Sequence, residues 1–122
     1  MKNIGLIGCG NIAETYFRAQ EYFNNINFVA CADINLDAAK KTAEQYNIIP
    51  LSVDEILNDK NVDIILNLTI PQAHYEISKR ALEANKHVYC EKPMSVKFDE
   101  AKELLNLAKK NSLYIGNAPD TL

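Results

Sequence analysis

Lys2-Asn3-Ile4-Gly5-Leu6-Ile7-Gly8-Cys9-Gly10-Asn11-Ile12-Ala13 opens the chain as a short apolar strand that runs into G-x-G-x-x-A and then into a helical pattern. Each glycine has its own reason. Gly8 permits the tight turn off the strand, and Gly10 lets the backbone approach a pyrophosphate that a side chain would hold away. Small Ala13 allows close packing of helix on strand. Backbone N–H groups and the helix dipole then favour an anion over the segment Gly8, Cys9, Gly10, Asn11 and Ile12. The motif is short, so the elements around it carry the rest of the reading.

Strand-like and helix-like segments alternate from end to end. Beyond the strand at about Asn3 to Ile7, apolar Ile12, Tyr16, Ala19 and Phe23 recur at helical spacing. Phe28 to Ala32 reads as a second buried strand ending at Asp33, and a helix from about Asp37 to Tyr46 follows, with Asn47 as a left-handed cap. A short strand near Ile49 to Leu51 precedes Ser52-Val53-Asp54-Glu55, a capping-box signature. Val62 to Leu68 is nearly continuous in apolar residues, as suits a parallel strand covered on both faces. A helix over Ala73 to Ala84, a turn at Asn85, a strand over His87 to Cys90, a helix capped by Ser95 over Val96 to Asn111, and a strand over Leu113 to Gly116 complete the series. Six strands separated by helices predict an α/β fold, a doubly wound parallel sheet of the Rossmann type in the order 3-2-1-4-5-6. Ligands of such sheets bind beyond the carboxyl ends of the strands, at the switch point between strands one and four.

Composition narrows the function classes. With 122 residues, 48% hydrophobic and 24% charged, the chain reads as one domain over residues 1–122, able to bury roughly two thirds of its unfolded surface. A net charge of −3 and a pI near 5.3 give no general attraction to nucleic acid or to an anionic membrane. Lys40-Lys41 and Lys109-Lys110 read as solvated helix faces. Cys9, Cys31 and Cys90 form an odd set without metal-ligand spacing, which argues against a disulfide framework and a zinc site. With no apolar run of signal-peptide or membrane-span length, a reducing, cytoplasmic location is the expectation. Homo-oligomer formation is left open.

Asp33 ends the second strand 23 positions beyond Gly10, close to the offset of roughly 20 expected of an acid that binds an adenosine ribose. Its carboxylate suits two free hydroxyls and would repel a 2′-phosphate, so NAD is favoured over NADP. The alternative is an acid that merely ends a strand or caps the next helix. Thr69-Ile70-Pro71 follows the fourth strand at the switch point, with a hydroxyl and a preset turn suited to a groove wall under the nicotinamide side. His74, at the start of the next helix, either reaches the cofactor or meets solvent. After the fifth strand comes Glu91-Lys92-Pro93. A lysine at that edge can hold a substrate oxygen by a charge-assisted bond or move a proton; the alternative is a surface ion pair. Tyr75 and Lys79 have the Y-x-x-x-K spacing of short-chain dehydrogenases. They fall on a helix after the fourth strand, without the early T-G-x-x-x-G-x-G turn, and read as helix-surface neighbours.

Together, Gly8-Cys9-Gly10-Asn11-Ile12-Ala13, Asp33, Thr69-Ile70-Pro71-Gln72-Ala73-His74 and His87-Val88-Tyr89-Cys90-Glu91-Lys92-Pro93 closely resemble the amino-terminal domain of the Gfo/Idh/MocA oxidoreductases. The ending Gly116 to Thr121 also resembles the crossover into that family's second domain. The resemblance implies a diphosphate on Gly8 to Ile12, a ribose on Asp33, and a nicotinamide groove lined by Thr69, Ile70, Pro71 and His74. It also implies that Glu91 and Lys92 border the nicotinamide, with Lys92 the catalytic group on a substrate hydroxyl or carbonyl. Members typically oxidise or reduce sugars, cyclitols and related secondary alcohols. The family's carboxy-terminal substrate domain has no counterpart within these residues, so the expectation is nucleotide binding without efficient turnover. Two other readings stand beside it: a stand-alone NAD sensor or partner-binding module, and a Rossmann protein for another adenosyl ligand.

Overall fold

The computed structural model describes residues 2–9, 26–69, 71–90 and 98–117. The expected helix over Ile12 to Phe23, the Ser95 cap and the carboxy-terminal tail lie outside them. Six strands form one parallel sheet: β1 (Lys2–Ile7), β2 (Ile26–Ala32), β3 (Ile49–Pro50), β4 (Ile64–Asn67), β5 (His87–Cys90) and β6 (Ile115–Asn117). Their order is β3-β2-β1-β4-β5-β6, every neighbouring pair parallel, as the alternation of elements predicts. The described helices are α1 (Leu36–Tyr46), α2 (Val53–Asn58), α3 (Pro71–Glu83) and α4 (Phe98–Lys110).

Local signals set the helix ends. Asn35 caps α1, its side-chain oxygen accepting from the N–H groups of Asp37 and Ala38, and Asn47 closes it at φ 57°. At α2 the Ser52 hydroxyl accepts from Glu55 N–H while the Glu55 carboxylate accepts from Ser52 N–H, a complete capping box. Such a cap stabilises by about 1 kcal/mol. The turn after α3 passes through Asn85 at φ 64°, a conformation that asparagine tolerates.

Both faces of the sheet are buried. On one, Ile7, Ala30, Ile65 and Val88 meet Ile56 of α2, Leu82 of α3 and Leu104 of α4. On the other, Ile4, Leu6, Phe28, Cys31 and Leu66 meet Ala43 of α1. Gly5 serves the first face by being small: a Cβ there would lie 2.8 Å from Ile56 Cδ1. In β2 the pairing with β1 jumps from Ile4↔Phe28 to Gly5↔Ala30, so Val29 is an extra residue in the ladder. The bulge puts Phe28 and Cys31 on one face although they are three apart, which strict alternation would forbid. Tyr75 and Lys79 of α3 both reach the Glu103 carboxylate of α4, Lys79 Nζ at 3.3 Å, and so serve as surface links between helices.

Candidate functional site

The carboxyl ends of β1, β2 and β4 converge on a cleft of ≈ 250 Å³. Its polar wall is Gly8, Asp33 and Thr69; its apolar wall includes Ile7, Ile34, Val53, Leu68 and Ile77. Ile34 is 90% exposed, an apolar side chain left to solvent directly after the acid. That position is a surface that a flat base could cover.

Gly8 takes φ 105°, and a Cβ added to it would stand 2.7 Å from the backbone C and O of Leu68. Only glycine accepts both conditions. Gly8 N–H donates to Ala32 O at 2.9 Å and Cys9 N–H to Asp33 Oδ2 at 2.7 Å. Asp33 Oδ1 accepts from Asn35 N–H at 2.8 Å. The acid is therefore tied both to the glycine turn and to the start of α1. Each carboxylate oxygen retains a lone pair for a ribose hydroxyl. The N–H groups of Gly8 and Cys9 are thus both taken, and Gly10, Asn11 and Ile12 lie outside the described residues.

The loop after β4 is held from two sides. Leu68 N–H donates to Ile7 O at 2.8 Å, tying it to β1. Asn67, fully buried, accepts from Thr69 N–H at 3.2 Å and from the Thr69 hydroxyl at 2.6 Å. Its amide nitrogen donates to His74 O at 3.1 Å and to Ser78 Oγ at 2.9 Å. Thr69 thus borders the cleft. Pro71 begins α3, and His74 is buried at 1% exposure beneath the loop; the cleft walls given by the described residues do not include it. Ile70, Glu91, Lys92 and Pro93 lie outside the described residues, although β5 ends at Cys90 on this same edge of the sheet.

Cys9 is half-buried and Cys31 fully buried; the Cys9 thiol donates to Ala32 O at 3.5 Å and the Cys31 thiol to Ala39 O at 3.4 Å. The neighbouring Cys9 sulfur, burial and the negative Asp33 push the Cys31 thiol up, and proximity to Cys31 lowers Cys9. Cys31 is a neutral core group. Cys90, also buried, closes β5. Among the described residues no group of three or more His, Cys, Asp or Glu could hold a metal, and no helix is long and apolar enough to cross a membrane.

Asn67 and the backbone ties of Asp33 are the site features that sequence reading missed. An asparagine closing an apolar strand was the available signal, since a polar side chain there must find partners.

A parallel sheet in this order, a glycine turn at its switch point and an acid ending the second strand define a nucleotide-binding Rossmann domain. The chain belongs to the Gfo/Idh/MocA oxidoreductase family, whose NAD-binding Rossmann fold it matches over residues 2–118. It is 30% identical over 111 residues to the uncharacterised oxidoreductase YrbE of Bacillus subtilis, covering 89% of this chain and 33% of that protein. Against inositol 2-dehydrogenase of Salmonella typhimurium it is 28% identical, covering 88% and 33%. It superposes with a TM-score of 0.88 and 29% identity on KijD10, a 3-ketoreductase from Actinomadura kijaniata in complex with NADP and TDP-benzene, covering 95% of this chain and 36% of that one. The chain spans about a third of the length of these relatives.

Proposed function

We propose that this chain binds NAD in preference to NADP and serves hydride transfer between the nicotinamide and a secondary alcohol or carbonyl of a sugar- or cyclitol-like substrate. The observation that carries the cofactor reading is Asp33, on the cleft wall and hydrogen-bonded to the glycine turn through Cys9 N–H. A carboxylate there accepts from both ribose hydroxyls and repels a 2′-phosphate. The KijD10 structure contains NADP, so family membership alone leaves the choice open. The substrate class is supported by the likeness to inositol 2-dehydrogenase.

Bound nicotinamide supplies the hydride donor or acceptor. The chain's own residues bind and orient. The glycine turn, with donors in Gly10, Asn11 and Ile12, holds the diphosphate. Thr69, Ile70, Pro71 and His74 are the residues assigned to the nicotinamide groove. Glu91 and Lys92, which follow β5 in sequence, border the nicotinamide. Lys92 is the catalytic residue in this reading: its ammonium holds the substrate oxygen and shares its proton as charge develops.

Calorimetric titration of NAD and NADP into the 122-residue chain tests the cofactor choice. NAD is expected to bind tighter, and Asp33→Ala to erase the preference. Equal or tighter NADP binding by the unaltered chain overturns it. For Lys92, a form carrying the full length of the relatives is needed. There Lys92→Ala should lower turnover far more than NAD affinity, and unchanged turnover rejects the assignment.

A further inference from the structure

Thr69 stands on the cleft wall, and a free threonine hydroxyl could either donate or accept there. Its neighbour removes that choice. Thr69 N–H and His74 C=O fix which way the Asn67 amide faces: an N–H needs oxygen opposite it, and a carbonyl oxygen needs nitrogen. Asn67 Oδ1 therefore faces Thr69, and Nδ2 faces His74 O at 3.1 Å and Ser78 Oγ at 2.9 Å. The reverse orientation would set oxygen against His74 O and nitrogen against Thr69 N–H. Once Oδ1 faces Thr69, the 2.6 Å contact between Oδ1 and Thr69 Oγ1 has a single donor, the hydroxyl. Its proton is committed to a fully buried amide, and the lone pairs of Oγ1 are what remain for a ligand.

We infer that Asn67 is a positioning residue that fixes the Thr69 hydroxyl as an acceptor, so that the cofactor group seated against Thr69 is a hydrogen-bond donor. The inference rests on the dinucleotide reading above. Two parts of a dinucleotide carry such donors, the nicotinamide carboxamide N–H₂ and the ribose hydroxyls. Phosphate oxygens, being acceptors, are excluded from this position. With Asp33 on the other side of the cleft, both polar side chains of the described wall then accept rather than donate. The cleft selects for the hydroxyl- and amide-bearing parts of the ligand and leaves the anionic part to the backbone of the glycine turn. Asn67 also pairs with Ile7 in the sheet and reaches two residues of α3, so the placement of Thr69 is set by β1 and α3 together.

The orientation is read without ligand from the nuclear magnetic resonance spectrum of the free labelled chain. A slowly exchanging Thr69 hydroxyl proton with a cross-peak to Asn67 is expected; a hydroxyl in fast exchange with water overturns the role of Asn67. Binding is then compared for NAD, 3-acetylpyridine adenine dinucleotide, which lacks the carboxamide N–H₂, and ADP-ribose, which lacks the whole nicotinamide. Thr69→Val should weaken NAD by about five- to tenfold, the range for one lost hydrogen bond, and Thr69→Ser should restore it. If the donor is the carboxamide, the unaltered chain prefers NAD to the acetylpyridine analogue, Thr69→Val abolishes that preference, and ADP-ribose is unaffected by the substitution. If the donor is a ribose hydroxyl, all three ligands weaken alike. Thr69→Val binding all three as tightly as the unaltered chain overturns the inference. Failure of the unaltered chain to bind any of the three overturns the dinucleotide reading instead, while the hydroxyl spectrum still judges Asn67.

Discussion

At Gly8 two independent constraints meet, a backbone φ of 105° and a Cβ position 2.7 Å from the Leu68 backbone. Neither is relieved by moving a flexible side chain, because the obstructing atoms are main chain. Gly8→Ala should therefore destabilise the chain by at least about 1–3 kcal/mol, the cost of one residue in a forbidden backbone region, measured by urea unfolding. A loss below half a kilocalorie, on the order of a surface substitution, would mean that the turn relaxes freely. The need for glycine here was legible, because spacing and strand context required it. The partners of Asp33 were not. Spacing predicts a ribose beside the acid, but that one oxygen would accept from Cys9 and the other from Asn35 depends on side-chain rotation and loop closure. Asn67 escaped notice for a related reason: its four hydrogen bonds, to Thr69, His74 and Ser78, are gathered by folding from the loop after β4 and from α3.

Among the elements, β4 is shorter than its apolar run, beginning at Ile64 where Val62 was expected. Val62 is instead a core residue ahead of the ladder, and its carbonyl accepts from Lys86 Nζ at 2.7 Å. Hydrophobicity marks burial and does not mark hydrogen bonding, so the run overstated the strand. The strand expected over Leu113 to Gly116 shifts to Ile115–Asn117 in the same way, with Leu113 packed on the core before pairing begins. Lys86 had no signal in sequence. It is 5% exposed just before β5, and its ammonium also donates to Asp59 O at 2.6 Å. Burial lowers its pKa, with Asp59 and Asp63 opposing. Between that lowered value and the unfolded one of about 10.4, the unfolded chain binds more protons, so stability rises with pH. The stability linked to Lys86 is present above the unfolded value and lost as pH falls through the folded one. Unfolding free energies of the unaltered chain and Lys86→Met should diverge upward as pH is raised from about 8 to 10.5; a constant difference would show that the ammonium titrates as in water.

On the scale of the whole molecule, strand order was legible because parallel neighbours require crossovers and the chain alternates strands with helices throughout. The division of the core between the two faces was less so, since the Val29 bulge reverses the alternation within β2. A ligand that bridges the ends of β1, β2 and β4 binds the folded sheet and has no site in the unfolded chain. NAD at 100 times its dissociation constant should thus raise the unfolding free energy by about 2.7 kcal/mol, seen as a higher midpoint by circular dichroism. An unchanged midpoint at that saturation would remove the ligand from this cleft. Engineering of the cofactor choice meets the bond between Asp33 and Cys9 N–H. The residue proposed to discriminate between nucleotides is also a strut of the turn proposed to hold their diphosphate. A redesign toward a 2′-phosphate that deletes the carboxylate strips that strut in the same stroke, so a switched variant needs a second substitution to re-anchor Cys9 before it can gain the new cofactor without loosening its hold on both.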